Sequence, residues 1–315
     1  MPPIPSEGPV VILGAGGPTG LHLARLMIDR GRRVRVVGRS EDKLLRVFTG
    51  LGVEPFVADL TDPTAAAEAM RDHPLAFDCV GTPMDALEDH PKTARAIADA
   101  AGRTGARVVH VSSSWSYLPV RARDLPLNET HPRQRGPKPA RLRREAEDIL
   151  QEAGACITHL PDFYGPGVHA STAQKALREG LDRRRIGWIG PRHCPRPYAY
   201  LPDAMRIVAD LSAHSEAYGQ RWLIPGNGDL TGRDIAWLCE RNIGLAVAVQ
   251  TFGRATLTVA APFDRTLRGF LPLVPHYMRP LSFDTSKLEG LLGPQRLTPH
   301  EQAVKATLTW LAEQR

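Results

Sequence analysis

Short apolar runs alternate with longer segments of helical periodicity through the first half of the chain. Residues 10–13 are apolar throughout, and after a glycine-rich turn the segment LHLARLMIDRG repeats its apolar residues at helical spacing and ends at a glycine. A second apolar run, 34–37, follows directly. Because this interval is that of one βαβ unit, we expect two parallel neighbouring strands.

The same alternation continues to residue 160. We predict further strands at 54–58, 76–80, 107–111 and 156–160, and helices at 63–71 after the cap Asp62, at 92–101 and at 140–153. The stretch 119–139 is dense in proline, arginine and polar residues, which is typical of a long surface loop. Strands interleaved with helices indicate an α/β fold with a Rossmann-type, doubly wound parallel sheet.

The second half is broken by stretches such as PDFYGPG and FLPLVPHYMRP. Such breaks favour a smaller C-terminal lobe assembled from insertions after the sheet strands. We therefore predict a sheet-bearing domain over 1–165, to which 198–228 return, and a smaller lobe formed by 166–197 and 229–315.

Composition narrows the class of protein. With 315 residues, 42% of them hydrophobic and 23% charged, the chain suits one globular unit with two lobes. The formal net charge of +6 does not indicate a nucleic-acid partner, because the basic residues are mostly arginines scattered along the chain.

Cysteine spacing and hydropathy exclude further classes. The four cysteines lie far apart, without a CxxC pair or a histidine at ligand spacing, so we expect neither a metal site nor a disulfide framework. No stretch is long and apolar enough to span a bilayer, and the N-terminus lacks a signal-peptide pattern. We therefore expect a cytoplasmic protein without a membrane partner.

The turn between the first predicted strand and helix carries glycines at the spacing GxxGxxG. Glycine there lets the backbone turn tightly and approach a diphosphate, while the helix N-terminus offers N–H groups and a positive dipole end. Because the turn lies between a strand and a helix, it predicts a dinucleotide-binding site rather than only a tight turn. The predicted contacts are Gly14, Gly16, Gly17, Pro18, Thr19 and Gly20.

The end of the second predicted strand indicates which dinucleotide binds. NAD enzymes usually present an acidic side chain there to hold the ribose 2′-hydroxyl. This chain has Gly38-Arg39-Ser40, so a guanidinium is available for a 2′-phosphate. We therefore predict NADP(H) as the cofactor in preference to NAD(H), with Arg39 and Ser40 as contacts. Asp59 and its neighbour Leu60 are predicted near the adenine, although Asp59 also suits a turn or a helix cap.

These motifs together resemble the extended short-chain dehydrogenase/reductases, the group that includes nucleotide-sugar epimerases and dehydratases. The resemblance rests on GAGGPTG, the ADL at Asp59, VVHVSSSWSY, LPDFYGPG, YLPDAM and LTPHEQAVKATLTWL, in this order and spacing. It implies a small-molecule substrate and a homodimer formed through a helix pair beside the sheet. It also implies cofactor contacts at Ser112, Arg141 and Pro161.

The family places a serine just after the fifth strand, four residues before a tyrosine. Ser113 has that place relative to Tyr117, and Ser114 is the alternative if the loop is shifted by one residue. The implied role is a hydrogen bond to the substrate oxygen near the nicotinamide.

The family's general acid, a tyrosine in YxxxK, has no counterpart. The best alignment puts Pro137 at the tyrosine position and Arg141 at the lysine position, and no tyrosine lies between Tyr117 and Tyr164. Arginine is a poor proton shuttle because its pKa is very high. The candidate replacements are Tyr117 and Tyr164, followed by Lys138, His193 and His276.

Two functions therefore compete. One is an NADP(H)-dependent reductase or dehydrogenase acting on a small organic substrate. The second lobe is moderately apolar, which favours a hydrophobic substrate. The other is a noncatalytic NADP(H)-binding sensor or regulator, which the loss of both Tyr and Lys favours. Consumption of bound NADPH separates them.

Overall fold

The computed structural model describes residues 8–133 and 135–315 of the chain. Its strands are β1 (Val10–Leu13), β2 (Val34–Gly38), β3 (Val53–Val57), β4 (Leu75–Asp78), β5 (Arg107–Ser113), β6 (Cys156–Leu160), β7 (Asp162–Tyr164), β8 (Arg185–Ile189), β9 (Arg196–Tyr200), β10 (Arg221–Leu223), β11 (Asp229–Leu230) and β12 (Ala248–Phe252). Its α-helices are α1 (Pro18–Asp29), α2 (Glu41–Val47), α3 (Pro63–Met70), α4 (Asp89–Thr104), α5 (Lys138–Glu152), α6 (Thr172–Arg183), α7 (Leu201–Leu211), α8 (Gly232–Ile243), α9 (Arg254–Ala260), α10 (Arg265–Phe270), α11 (Val274–Tyr277), α12 (Ser286–Leu292) and α13 (His300–Glu313).

Seven strands form one sheet in the order β10-β6-β5-β4-β1-β2-β3. β1 pairs in parallel with both β2 and β4, and the pairs β2–β3 and β4–β5 are also parallel. The strand order reverses between β1 and β4, which is the point where open α/β sheets bind ligands outside the carboxyl ends of their strands. The Rossmann-type doubly wound sheet predicted from the sequence is confirmed.

Most predicted elements agree with the structure to within a few residues. Asp62 caps α3 as predicted, since its Oδ1 accepts a hydrogen bond from the Thr64 amide at 2.9 Å. Helix α4 begins three residues earlier than predicted because a proline, Pro91, is tolerated in the first helical turn. Helix α2 was not predicted, because seven residues are too few to show a clear periodicity.

The loop predicted over 119–139 is exposed along much of its length, but one residue anchors it in the core. Leu127 is fully buried and packs with Tyr117, Leu223 and Leu281. Its strand-like bridge to Phe283 ties the loop to the C-terminal part of the chain. An isolated leucine in a polar stretch gives no periodic signal, so the sequence did not show this anchor.

The face of the sheet toward α3, α4 and α5 changes character along the strands. Ala76, Val108 and Ile157 form an apolar layer there, packed against Ala66, Ile97 and Leu150 of the helices. Successive side chains of a strand alternate between faces, so the next positions on this face are Asp78, His110 and His159. All three are buried. The apolar layer is therefore followed by a buried polar layer at the carboxyl ends of β4, β5 and β6.

The described chain divides into two compact units. The first comprises the residues up to Ser113 together with Arg141–His159 and Met205–Trp222, and the second comprises Ser114–Ala140, Leu160–Ala204 and Leu223–Arg315. The second unit has its own core, in which Leu177, Trp188, Leu238 and Leu308 pack together. The two units are defined by their compactness alone. The predicted domain bounds and the ligand-binding roles of the two predicted lobes stay predictions.

Two further properties follow from burial and helix composition. Among the described residues, none of the helices combines the length and apolar character needed to cross a bilayer. All four cysteines are buried free thiols, and no cluster that could hold a metal ion is found within 8–133 and 135–315.

Candidate dinucleotide-binding site

The glycine turn leaves no room for a side chain at two of its positions. A Cβ on Gly20 would lie 2.6 Å from the Ala15 Cα, and a Cβ on Gly14 would lie 2.8 Å from the Val80 Cα. Gly14 also has a φ of +72°, in the left-handed region that favours glycine. The tight approach of the turn to α1 and to the end of β4 therefore requires glycine at both positions.

The start of α1 fits an anionic group. Pro18 opens the helix, a position that suits its fixed φ, and the N-cap residue is Gly17. Because glycine has no side chain to cap the first-turn amides, they and the helix dipole are left for a ligand. The Thr19 hydroxyl contacts the buried Cys79 thiol, which holds the start of the helix against the end of β4. These residues fit a diphosphate.

Two cationic side chains lie at the end of β2. Arg39 is exposed, as the predicted role requires. A Cβ on Gly16 would lie 3.2 Å from the Lys43 Cε, so the Lys43 side chain passes over the glycine turn. Ser40 is the N-cap of α2, and its hydroxyl accepts a hydrogen bond from the Lys43 amide at 3.3 Å. Lys43 is a candidate that sequence reasoning missed, because the short helix that carries it was not recognised.

Asp59 makes a local turn rather than pointing away from the protein. Its Oδ1 accepts hydrogen bonds from the Thr61 amide at 3.0 Å and from the Thr61 hydroxyl at 2.9 Å. These bonds, followed by the nearby charge of Arg39, hold the pKa of the Asp59 carboxyl below its usual value. Leu60 is buried in the core of the first unit. The predicted contacts of Asp59 and Leu60 with the adenine stay predictions.

A buried histidine–aspartate pair lies at the carboxyl ends of β4 and β5. His110 Nδ1 donates a hydrogen bond to Asp78 Oδ2 at 2.7 Å. His90 at the start of α4 lines a small cavity together with this pair, and its Nε2 has no hydrogen-bond partner in the described structure. Burial, with the nearby Arg143 charge, lowers the pKa of His90 to about 3. His90 is therefore neutral at physiological pH, and the cavity is lined by one neutral imidazole and one hydrogen-bonded pair.

A second buried network joins β5 and β6 to α5. Both carboxylate oxygens of Glu147 accept hydrogen bonds, one from the Ser112 hydroxyl and the other from His159 Nε2 at 3.1 Å. Burial lowers the pKa of Arg143, and the Glu147 carboxylate opposes that shift. Ser112, predicted as a cofactor contact, is directed into this network. Its other members, Glu147, His159 and Arg143, had not been selected from the sequence.

The predicted cationic residue of α5 lies on a different face from this network. Arg141 is exposed, whereas Arg144 and Glu147 are buried one helical turn apart. Arg143 lies close enough to Glu147 for the carboxylate to affect its pKa, and the predicted cofactor contact of the exposed Arg141 stays a prediction. Burial along a helix is decided by packing, so a single sequence did not separate these neighbouring arginines.

The predicted catalytic residues occupy different environments. Ser113 lies at the end of β5 on the face opposite His110 and Ser112, and Ser114 begins a short 3₁₀ turn in the second unit. Tyr117 is fully buried in the cluster with Leu127 and near the His131 ring. The roles of these residues stay predictions.

Tyr164 also lies inside the second unit. Its side chain is fully buried, and its hydroxyl is 2.7 Å from His300 Nδ1. Burial raises the pKa of the Tyr164 phenol, which makes proton loss harder. Pro161, a predicted cofactor contact, is buried at the start of the same segment. This environment favours a structural role for Tyr164.

Comparison with known protein families matches one segment of the chain. Residues 14–160 match the family model described as NAD(P)H-binding. The matched segment is 147 of the 315 residues, just under half of the chain, and it is similar to NAD(P)H-binding domains. The match covers the glycine turn, the end of β2 and both buried polar networks, and it does not separate NADP(H) from NAD(H).

Curated relatives match part of the chain. Ceramide reductase of Caulobacter vibrioides is 31% identical over 169 residues, which is 51% of this chain and 48% of that protein. dTDP-4-dehydrorhamnose reductase of Mycobacterium tuberculosis is 29% identical over 117 residues, which is 34% of this chain and 33% of that protein. The alignments thus span half or less of these relatives.

Solved structures match nearly the whole chain in fold. A putative epimerase from Burkholderia cenocepacia J2315 has a TM-score of 0.79 at 16% identity and covers 98% of this chain and 99% of its own. A dTDP-glucose 4,6-dehydratase from Streptomyces venezuelae, solved with NAD, has a TM-score of 0.78 at 19% identity and covers 97% of each chain. The resemblance to the extended short-chain dehydrogenase/reductases, predicted from sequence, is confirmed for the fold and the NAD(P)H-binding domain.

Proposed function

We propose that this protein is an NADP(H)-dependent reductase or dehydrogenase that acts on a small hydrophobic substrate without the tyrosine general acid of its relatives. The observation that carries the proposal is the pair of cations, Arg39 and Lys43, beside a glycine turn that fits a diphosphate. A 2′-phosphate needs such charges, whereas a free 2′-hydroxyl is usually held by a carboxylate. The NAD(P)H-binding match supports the cofactor class.

The bound cofactor supplies hydride transfer, and the chain's own residues bind it and manage the proton. The first-turn amides of α1 hold the diphosphate, and Arg39 with Lys43 holds the 2′-phosphate. Ser113 or Ser114 orients the substrate oxygen at the end of β5.

For the proton we propose His110, held in place by Asp78. The pair lies at the carboxyl edge of the sheet, the edge at which ligands bind in this fold class, and Nδ1–H donation to Asp78 leaves the other ring nitrogen to exchange a proton. Tyr164 is a weaker candidate because burial raises the pKa of its phenol, so it would resist giving up a proton.

The proposed substrate is apolar rather than a nucleotide diphosphate. Arg196, a buried cation of the second unit, donates through Nη1 to the backbone carbonyls of His276 at 2.6 Å and Arg279 at 3.1 Å, so this guanidinium is engaged by the protein itself. The name of the ceramide reductase relative denotes a lipid substrate, which supports the same substrate class.

The test uses the purified full chain. Titration with NADPH and NADH should show tighter binding of NADPH, and NADPH should then be consumed in the presence of a long-chain ketone but not of a dTDP-4-keto sugar. Tight binding of NADPH without consumption across ketones of both classes would support the sensor hypothesis instead. Failure to bind either dinucleotide at millimolar concentration would reject the proposal altogether.

A further inference from the structure

The most exposed large apolar side chains of the described residues lie close together. Phe263 is 91% exposed and Val259 is 75% exposed, and both belong to the second unit. They are four residues apart on a continuous helical stretch, because Ala260 and Ala261 between them have helical dihedral angles. Side chains at this spacing share one face of a helix. Phe263 and Val259 therefore form one apolar surface.

The opposite face of the same stretch is anchored in the protein. Leu257 and Ala261, also four residues apart, are 8% and 3% exposed. The stretch thus has two apolar faces, and only one of them is buried by its own unit. Isolated exposed apolar residues are common on soluble proteins, but two bulky residues on one helical face are not explained by the core.

Arginines flank the residues of this apolar surface in the sequence. Residues 253–279 contain four arginines and one aspartate, so this stretch supplies +3 of the chain's formal net charge of +6. Arg254, Arg265 and Arg268 are exposed, and Arg268 Nη2 donates to the carbonyl of Pro262 at 2.8 Å, directly before the phenyl ring. The aspartate, Asp264, is occupied as the N-cap of α10, where its Oδ1 accepts from the Leu267 amide at 3.0 Å.

We propose that this arginine–phenyl patch, made of Val259, Phe263, Arg265 and Arg268, docks on an anionic lipid bilayer surface. Apolar side chains that insert at the headgroup boundary and basic side chains that contact anionic headgroups are the two components of interfacial binding. Nucleic acid is the less suitable occupant, because Phe263 is the one aromatic ring of the patch and the aliphatic Val259 offers nothing for a base to stack on. The proposal replaces the expectation of no membrane partner, since exposure could not be inferred from the composition.

The experiment is sedimentation of the full-length protein with lipid vesicles. One set contains phosphatidylcholine alone and the other an equimolar mixture of phosphatidylcholine and phosphatidylglycerol. We expect binding to the anionic vesicles, little binding to the neutral ones, and weakening of the anionic binding at high salt.

Two variants test the patch, each with a matched control elsewhere. Phe263→Ser should weaken anionic-vesicle binding about tenfold, whereas Leu45→Ser, which removes another exposed side chain, should not. Arg265→Glu should weaken it at least about fivefold, whereas Arg25→Glu should not. All four positions are exposed, so the variants should keep the thermal midpoint of the parent protein.

Several outcomes overturn the proposal. These are absence of binding to the anionic vesicles, equal binding to neutral and anionic vesicles, and anionic binding that both patch variants leave unchanged. Binding of a single-stranded oligonucleotide that depends on Phe263 and Arg265, without vesicle binding, would assign the patch to nucleic acid instead. None of these results depends on the reductase activity proposed above.

Discussion

The glycine turn and the β5–α5 region belong to the same unit, but they offer a ligand different chemical groups. The turn works through backbone amides and needs the absence of side chains at Gly14 and Gly20. The β5–α5 region works through side chains, namely the buried pair Glu147–His159 and the neighbouring pair Asp78–His110. Backbone recognition has few alternatives and remains recognisable in the sequence, whereas a side-chain site can be rebuilt from other residues.

The largest expected effect comes from removing Glu147, the centre of the buried network between β5, β6 and α5. Glu147→Ala leaves Ser112, His159 and Arg143 without their buried carboxylate, so we expect the free energy of unfolding to fall by about 3 kcal/mol or more in urea denaturation. The matched control is Glu145→Ala on the same helix, which breaks only an exposed pair with Arg95 and should cost about 1 kcal/mol or less. Equal losses in the two variants would show that the network has no special weight.

The glycine turn should be sensitive to the addition of a side chain. Gly20→Ala forces a Cβ against the Ala15 backbone, so we expect a stability loss of about 1–3 kcal/mol and a loss of NADPH affinity of at least about tenfold. Gly102→Ala in α4, where a Cβ meets nothing within 4 Å, should leave affinity unchanged and stabilise the helix slightly. Unchanged NADPH binding in Gly20→Ala would remove the turn from the site.

Acid should lower the stability of the folded protein through His90, which lies beside the Asp78–His110 pair. The unfolded state takes up a proton at His90 below its ordinary pKa of 6.5, whereas the folded state does so only near 3, so stability falls as pH is lowered through this interval. Between about pH 7.5 and about pH 5 this residue should account for about 2 kcal/mol. His90→Gln should reduce the pH dependence of the free energy of unfolding by that amount. The pKa values of His73, His276 and His300 are also lowered, but these residues contribute equally to the parent protein and to the variant. Identical pH profiles would contradict the assignment.

The smallest change concerns the choice between dinucleotides. Arg39→Ala should weaken NADPH binding about tenfold and leave NADH binding nearly unchanged, because the proposed partner of the guanidinium is the 2′-phosphate, which NADH lacks. Calorimetric titration of both dinucleotides measures this. The exposed Arg25→Ala serves as the control, and parallel weakening of NADPH and NADH in Arg39→Ala would point to a general electrostatic effect.

The sequence predicted the features that depend on the backbone and missed those that depend on distant side chains. The strand–turn–helix pattern around Gly14–Gly20 and the strand alternation predicted the sheet and the NAD(P)H-binding turn, since both depend on local periodicity and backbone geometry. The buried pairs Asp78–His110 and Glu147–His159 were missed, because the partners of each pair are separated in sequence and are brought together only by the sheet and α5. Burial of Arg144 beside the exposed Arg141 was likewise not predicted, as the buried side of a helix is set by its neighbours.

The burial of all four native thiols makes the chain easy to label at one chosen point. A cysteine introduced by Phe263→Cys would stand in solvent while Cys79, Cys156, Cys194 and Cys239 stay shielded from a thiol reagent. An environment-sensitive fluorophore attached there would shift its emission on entering an apolar medium, so this surface of the second unit can be followed by spectroscopy without removing any native cysteine.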